Sequence, residues 1–239
     1  MTDALQPLPE DWERGLVVVA HPDDMEYGGA AAIARWTSQG KRIAYCLVTS
    51  GEAGIDSMPP EQARVVREAE QRASAALVGV DTVEFLGLPD GIIEYGVPLR
   101  RELARVIRRH RPEVVITVNF RDDWGEGGYL NQADHIATGR ALLDAARDAG
   151  NRWVFPEAGD PWNGVRQVWA ASSPAATHGV DVTDTFERGV ASLAAHEAYL
   201  RGLGDQTIDP EEFLEALARP VGSRLGCRYG VAFEVFTLR

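Results

Sequence analysis

Short, uninterrupted apolar runs recur along the chain, each followed by a segment of helical periodicity. LVVVA (Leu16–Ala20), IAYCLVT (Ile43–Thr49), VVITV (Val114–Val118) and VWAAS (Val168–Ser172) are continuous rather than alternating. A strand that is apolar at every position needs both faces covered, which is the condition of a parallel sheet flanked by helices. TVEFLGL supplies the strand that is third in order. Between them lie four helical segments: GGAAAIARWTSQG, closed by Gly40; a long one opened by Pro59 and Pro60 and running through Val78; Pro98–His110; and ADHIATGRALLDAARDAG. This alternation predicts an α/β fold, a Rossmann-like doubly wound, mostly parallel sheet with right-handed crossovers and helices on both faces. A helix over Val182–Leu203, a short helical stretch near Glu211–Ala218 and the alternating tail VAFEVFTL complete the chain. Nothing in 239 residues reads as a repeat or linker. One domain is therefore expected, its core about residues 15–202 and residues 203–239 a C-terminal extension.

Charge narrows the partners. Lys and Arg number 24 against 36 Asp and Glu, a net charge of −12. Polyanions need a basic surface, so nucleic acid and anionic membrane are not expected as partners. No apolar run reaches the roughly 20 residues a membrane-spanning helix needs, and MTDALQPLPEDWERG lacks the basic-then-apolar order of a signal peptide. Cys46 and Cys227 make no disulfide framework and belong to no CxxC pair, and Cys46 reads as a small buried hydrophobe. A cytoplasmic protein fits these features, and a homo-oligomer is compatible with them.

Ligands of such sheets bind outside the carboxyl ends of the strands, where loops converge. His21–Asp24, Thr49–Gly54, Gly87–Gly91 and Asn119–His135 all follow strands, and so share one sheet edge. His21 and Asp24, separated by two residues in a tight turn, can face one point, and Zn²⁺ accepts imidazole and carboxylate together. His135 offers a third ligand from the loop after the fourth strand. Three protein ligands with an open fourth position is the pattern of a catalytic zinc. Asp23 is then left to take a proton from an activated water. Two plainer readings stand beside this one. HPDD can be a helix entry, with aspartates favoured by capping and the helix dipole, and His135 can be structural. A dinucleotide loop at Gly28 and Gly29 lacks GxGxxG and carries acid where a pyrophosphate would sit.

AHPDD after a strand, followed by E-x-GG, resembles the signature of the zinc-dependent LmbE-like, or PIG-L, N-acetylglucosaminyl deacetylases. VTSGEAG, REAEQRASAALVGV, FLGLPDG, RPEVVITV, ADHIATGRALLDAA and VDVTDTFERGVASLAAHEAYL resemble further segments of that family in order and spacing, over roughly residues 15–202. The resemblance implies hydrolysis of an N-acyl group, usually acetyl, from an amino sugar or related conjugate. It implies one Zn²⁺ (or another divalent metal such as Fe²⁺) on His21, Asp24 and His135, with Asp23 as general base. Members often carry a histidine three residues before the last ligand; here that position is Gln132, which can hydrogen-bond an oxyanion but cannot titrate. His178 is a candidate for the missing acid. Tyr129, in the glycine-rich GEGGYLNQ, is a candidate to swing over the site. Arg67 resembles an arginine that the family points at substrate; its plain reading is a solvated helix charge. Asp90 in LPDG and Glu52 are candidates for sugar hydroxyls, and Asp134 for orienting a ligand or Gln132. Trp124, Trp153 and Trp162 could stack on a sugar ring, while Trp169, His110 and His196 read as structural. The rival functions are an amidase for a bulkier sugar or thiol conjugate, and a metal-dependent sugar-binding domain with weakened catalysis.

Overall fold

The apolar runs become the inner strands of one eight-stranded sheet in the computed structural model, which describes residues 4–125 and 127–238. In chain order the elements are β1 (Gln6–Pro7), β2 (Arg14–Val19), α1 (Ala30–Ser38), β3 (Arg42–Leu47), α2 (Pro60–Leu77), β4 (Thr82–Phe85), α3 (Val97–His110), β5 (Val114–Val118), α4 (Ala133–Asp148), β6 (Gln167–Ala171), β7 (His178–Asp181), α5 (Phe186–Ala194), α6 (Glu197–Gly202), α7 (Pro210–Leu225) and β8 (Gly230–Thr237). Across the sheet the order is β1-β7-β8-β6-β5-β2-β3-β4, and β8 alone runs antiparallel to its neighbours.

Two apolar layers cover the sheet, as continuous apolar strands require. Val17 and Val19 of β2 point into one layer with Trp36 of α1, Phe186 of α5 and Leu214 of α7; Leu16 and Val18 point into the other, against α3 and α4. Trp12, Trp36 and Trp169 pack together, with ring centroids 5.4, 5.9 and 5.5 Å apart. Cys46 is buried and free, and among the described residues no helix is long and apolar enough to cross a membrane.

Several elements differ from the sequence expectation for tertiary reasons. The long helix expected over 182–203 is divided into α5 and α6, because Glu70 of α2 accepts hydrogen bonds from the backbone N–H groups of Ala198 and Tyr199 and so starts a new helix there. β4 stops at Phe85, although the backbone continues to pair, with Leu86 N–H donating to Leu47 O at 2.8 Å. β1 and β7 are too short to carry a pattern of their own. Of the residues beyond 203, 230–237 join the sheet: Asp209 caps α7 by accepting from Glu211 and Glu212 N–H, and β8 enters between β6 and β7.

β2 pairs with β3 on one side and β5 on the other. Successive connections therefore leave β2 in opposite directions, and the crevice at such a switch point is where open α/β sheets bind ligands. His21 follows β2, and Asn119 follows β5.

Candidate active site

A tight turn closes β2. Asp24 folds back so that its Oδ2 accepts from the His21 backbone N–H at 2.8 Å. Its other oxygen, Oδ1, faces His135 Nε2 at 2.9 Å and His21 Nδ1 at 3.5 Å. His135 comes from the first turn of α4. The three donor atoms lie within 4.8 Å of one another, and both histidines are 7% exposed.

The outer nitrogen of each ring is already engaged. His21 Nε2 lies 3.0 Å from Asp90 Oδ1 and 3.3 Å from Asp134 Oδ2. His135 Nδ1 lies 2.8 Å from Asn131 Oδ1. The Asn131 amide is oriented by its own donors, because Nδ2 reaches Asn119 O and Arg121 O at 2.9 Å. Oxygen acceptors behind two imidazoles fix the tautomers that present lone pairs forward, the arrangement metal-binding histidines require. Asp134 is itself fixed, accepting from Gly91 and Ile93 N–H at 2.7 and 3.0 Å. Asp90 accepts from Ala53 N–H at 2.8 Å, and its own N–H donates to Glu52 Oε1 at 3.0 Å. The loops after β3 and β4 are thereby tied to the turn after β2.

Charge at this cluster is one-sided. Burial alone would lower the His21 pKa, but the Asp24 charge and bonds to Asp134, Asp24 and Asp90 outweigh it and push it up to about 12. Burial would raise Asp24, yet the two imidazoles hold it well below the usual carboxylate range. Carboxylates crowd the two imidazoles and make His21 strongly basic, so the donor set fits a divalent cation in both ligand type and charge.

Asp23 lies between His21 and Asp24 in the chain and behaves differently. Its φ is 84°, a left-handed conformation that is costly for any residue with a Cβ. Three hydrogen bonds hold it there. Gln71 Oε1 accepts its N–H at 2.9 Å, Arg67 Nη2 donates to its Oδ2 at 3.1 Å, and Arg67 Nη2 also donates to Pro22 O at 2.7 Å. Arg67 further donates to Gly51 O at 2.8 Å and lies over the Tyr199 ring at 4.2 Å. Burial pushes the Asp23 carboxyl up, Arg67 opposes it, the Asp24 charge adds to it, and the result is about 7. A buried carboxyl that exchanges its proton near neutrality is equipped for general acid–base work. Below it, Glu26 Oε1 accepts from Gln71 Nε2 and Ser74 Oγ, both at 2.8 Å.

The structure brings together His21, Asp23, Asp24 and His135, with Gln132 on the same cavity wall. It assigns other expected residues to different tasks. Arg67, expected as a substrate contact or a solvated charge, is 3% exposed and holds Asp23. Asp90 meets the His21 ring rather than open space for a sugar hydroxyl, and Glu52 holds the Asp90 backbone. Tyr129 is 74% exposed and outside the cavity, because its loop turns outward; Trp124 of the same loop lines the cavity, edge-on to His135 at 6.1 Å. His178 does not approach the site. It sits on β7 beside Gln6 of β1, its ring nitrogen 2.8 Å from its neighbour Thr177 Oγ1. Trp162 packs with its indole N–H on Pro112 O, and Trp153 is exposed away from the cavity. His196 is buried, and His110 pairs with Glu84. Gln71 and Asn131 escaped sequence reading. The available signals were spacing alone: Gln71 lies four residues after Arg67 on α2, and Asn131 four before His135.

Fold and site together define an α/β protein with a histidine–carboxylate centre at the switch point of a doubly wound sheet. Residues 16–146 match the PIG-L family, described as GlcNAc-PI de-N-acetylase, and the chain belongs to that family of deacetylases. Among curated relatives, diacetylchitobiose deacetylase of Thermococcus kodakarensis is 26% identical over 231 residues, covering 93% of this chain and 84% of the relative. The 1D-myo-inositol 2-acetamido-2-deoxy-alpha-D-glucopyranoside deacetylase of Streptomyces avermitilis is 28% identical over 193 residues, covering 69% of this chain and 63% of the relative. The solved structure of N,N'-diacetylchitobiose deacetylase from Pyrococcus horikoshii, complexed with its inhibitor, superimposes with a TM-score of 0.86 at 23% identity, covering 95% of this chain and 85% of that one.

Proposed function

We propose that this protein is a zinc-dependent hydrolase that removes an N-acyl group, acetyl or a homologue of it, from an amino sugar or its conjugate. The observation that carries the reading is the convergence of His21 Nδ1, Asp24 Oδ1 and His135 Nε2 on one point beside the buried carboxyl of Asp23. Family membership and relatives that are deacetylases of N-acetylated sugars support it.

His21, Asp24 and His135 would hold the metal. When bound, zinc supplies Lewis-acid polarisation of the amide and acidifies water towards a pKa of about 7. Asp23 takes the proton of the attacking water as its oxygen bonds to the acyl carbon. The same carboxyl then returns the proton to the amine nitrogen as the C–N bond breaks, leaving a free amine and a carboxylate. A group poised near 7 serves both halves of this cycle. It fills the acid role that neither Gln132 nor the distant His178 provides. Gln132, on the cavity wall, donates a side-chain N–H to the oxyanion. Arg67 and Gln71 hold Asp23 in its left-handed conformation.

The test is elemental analysis of purified wild type, His21→Ala and His135→Ala, alongside amine release from N-acetylated amino sugars. About one zinc per chain in the wild type, lost in both variants together with amine release, is the expected result. Metal content indifferent to both substitutions would overturn the reading.

A further inference from the structure

The cavity at the metal-ligand cluster does not end there. From Asp24 and His135 it passes Tyr27 and Ser172 and continues under α7, enclosing about 650 Å³ in all. Beyond Tyr27 its walls are Val182 and Phe186 from the β7–α5 junction and Leu214, Leu217, Ala218 and Val221 from α7. These α7 residues are spaced i, i+3, i+4 and i+7, so one helix face is apolar from Leu214 to Val221. Leu217 on that face is 45% exposed, because it borders open space rather than a packing partner. Tyr27 meets Phe213 edge-on at 5.5 Å and forms the passage between the polar and apolar parts. Arg224 lies at the outer end and is engaged within the protein.

An acetyl group needs only the end of this cavity beside Asp23. Pockets for ligands of drug size run from about 300 to 1,000 Å³, so the whole space suits a far larger molecule. A second sugar fits the apolar arm poorly, since hydroxyls there would lose water without gaining hydrogen-bond partners. We propose that the arm beneath α7 binds an aliphatic chain carried by the N-acylated amino sugar, which makes the substrate class a lipophilic amide or glycoside. This rests on the deacylase reading and names the substrate of that same site. The chain enters past Tyr27, and α7 sets its permitted length.

Three compounds test this by calorimetric binding and by amine release: N-acetylglucosamine, N-octanoylglucosamine and octyl N-acetylglucosaminide. Each methylene fully removed from water strengthens binding about fourfold at the upper limit. Six or more are therefore expected to raise affinity by at least about tenfold over N-acetylglucosamine. Preference for the octanoyl amide places the chain on the acyl group, and preference for the octyl glycoside places it on the sugar. Ala218→Trp, which fills the arm, is expected to reduce the long-to-short ratio towards one. Leu217→Asp, at a half-exposed position that tolerates a carboxylate, is expected to do the same if the tryptophan variant fails to fold. Equal affinity for all three compounds, or an unchanged ratio in the folded variant, overturns the proposal. Chain-selective binding with no amine released from any compound would instead overturn the deacylase reading and leave the arm standing. Amine release without chain selectivity does the reverse.

Discussion

Glu26 offers a thermodynamic test of how this site is built. It is 1% exposed, and burial raises its pKa from 4.5 to about 7 despite bonds from Ser74 and Gln71. Its Oε2 has no hydrogen-bond partner among the described residues. The native state thus binds this proton more tightly than the unfolded chain, so stability falls as pH rises from about 4.5 to about 7 and is level outside that window. A shift of this size corresponds to about 3 kcal/mol at 1.36 kcal/mol per unit. Glu26→Gln keeps the shape and the acceptor for Ser74 but cannot ionise. The amide nitrogen, placed where Oε2 has no partner, costs a roughly constant 1–3 kcal/mol. Urea denaturation of chelator-treated wild type and variant, from pH 4.5 to 8, isolates the term as a difference. The variant is expected to gain about 3 kcal/mol on the wild type across the window, even if it starts below it. Parallel curves would refute the argument, because they would mean that Glu26 ionises as readily folded as unfolded.

Three further outcomes follow from the same geometry. Asp23→Asn is expected to lower kcat about 10²- to 10⁴-fold while elemental analysis finds the metal retained. Asp134→Asn weakens the support behind His21 Nε2 and is expected to reduce metal affinity about 10- to 100-fold in a competitive chelator titration, with the fold intact by circular dichroism. Arg67→Met removes the charge that opposes burial at Asp23, so the acidic limb of kcat/KM is expected to move up by about one unit or more, and the cation-free variant to unfold at lower urea.

The parts of the fold legible in the sequence are those whose signal is local. Leu16–Val19 is apolar at every position, and Val114–Val118 at all but the buried Thr117, because two layers cover them, and that pattern needs no tertiary information to read. His21, Asp24 and His135 could be grouped because strand ends share one edge in a parallel sheet. What each polar neighbour does could not be read, since it depends on distance between loops. Asp90 resembles a turn residue until the loop after β4 is laid against His21. Arg67 resembles a solvated helix charge until α2 is packed on the turn after β2, where the guanidinium finds two carbonyls and Asp23. Tyr129 and Trp124 lie in one loop, and only the course of that loop decides which of them meets the cavity. The break between α5 and α6 was illegible for a similar reason, since its cause is Glu70 on another helix.

The position of β8 has a consequence for how the chain acquires this structure. β1 and β7 form one strip of sheet, β6 to β4 another, and β8 alone joins them by hydrogen bonds. A nascent chain can assemble the larger strip, and with it the turn after β2, before residues 230–237 exist. Until then β6 keeps an open edge, and the apolar face of α7 has no strand to rest on. Residues 230–237 thus close the sheet, and Gly230, Val231 and Ala232 also line the cavity beneath α7. One late segment of the chain completes both the sheet and that wall of the cavity.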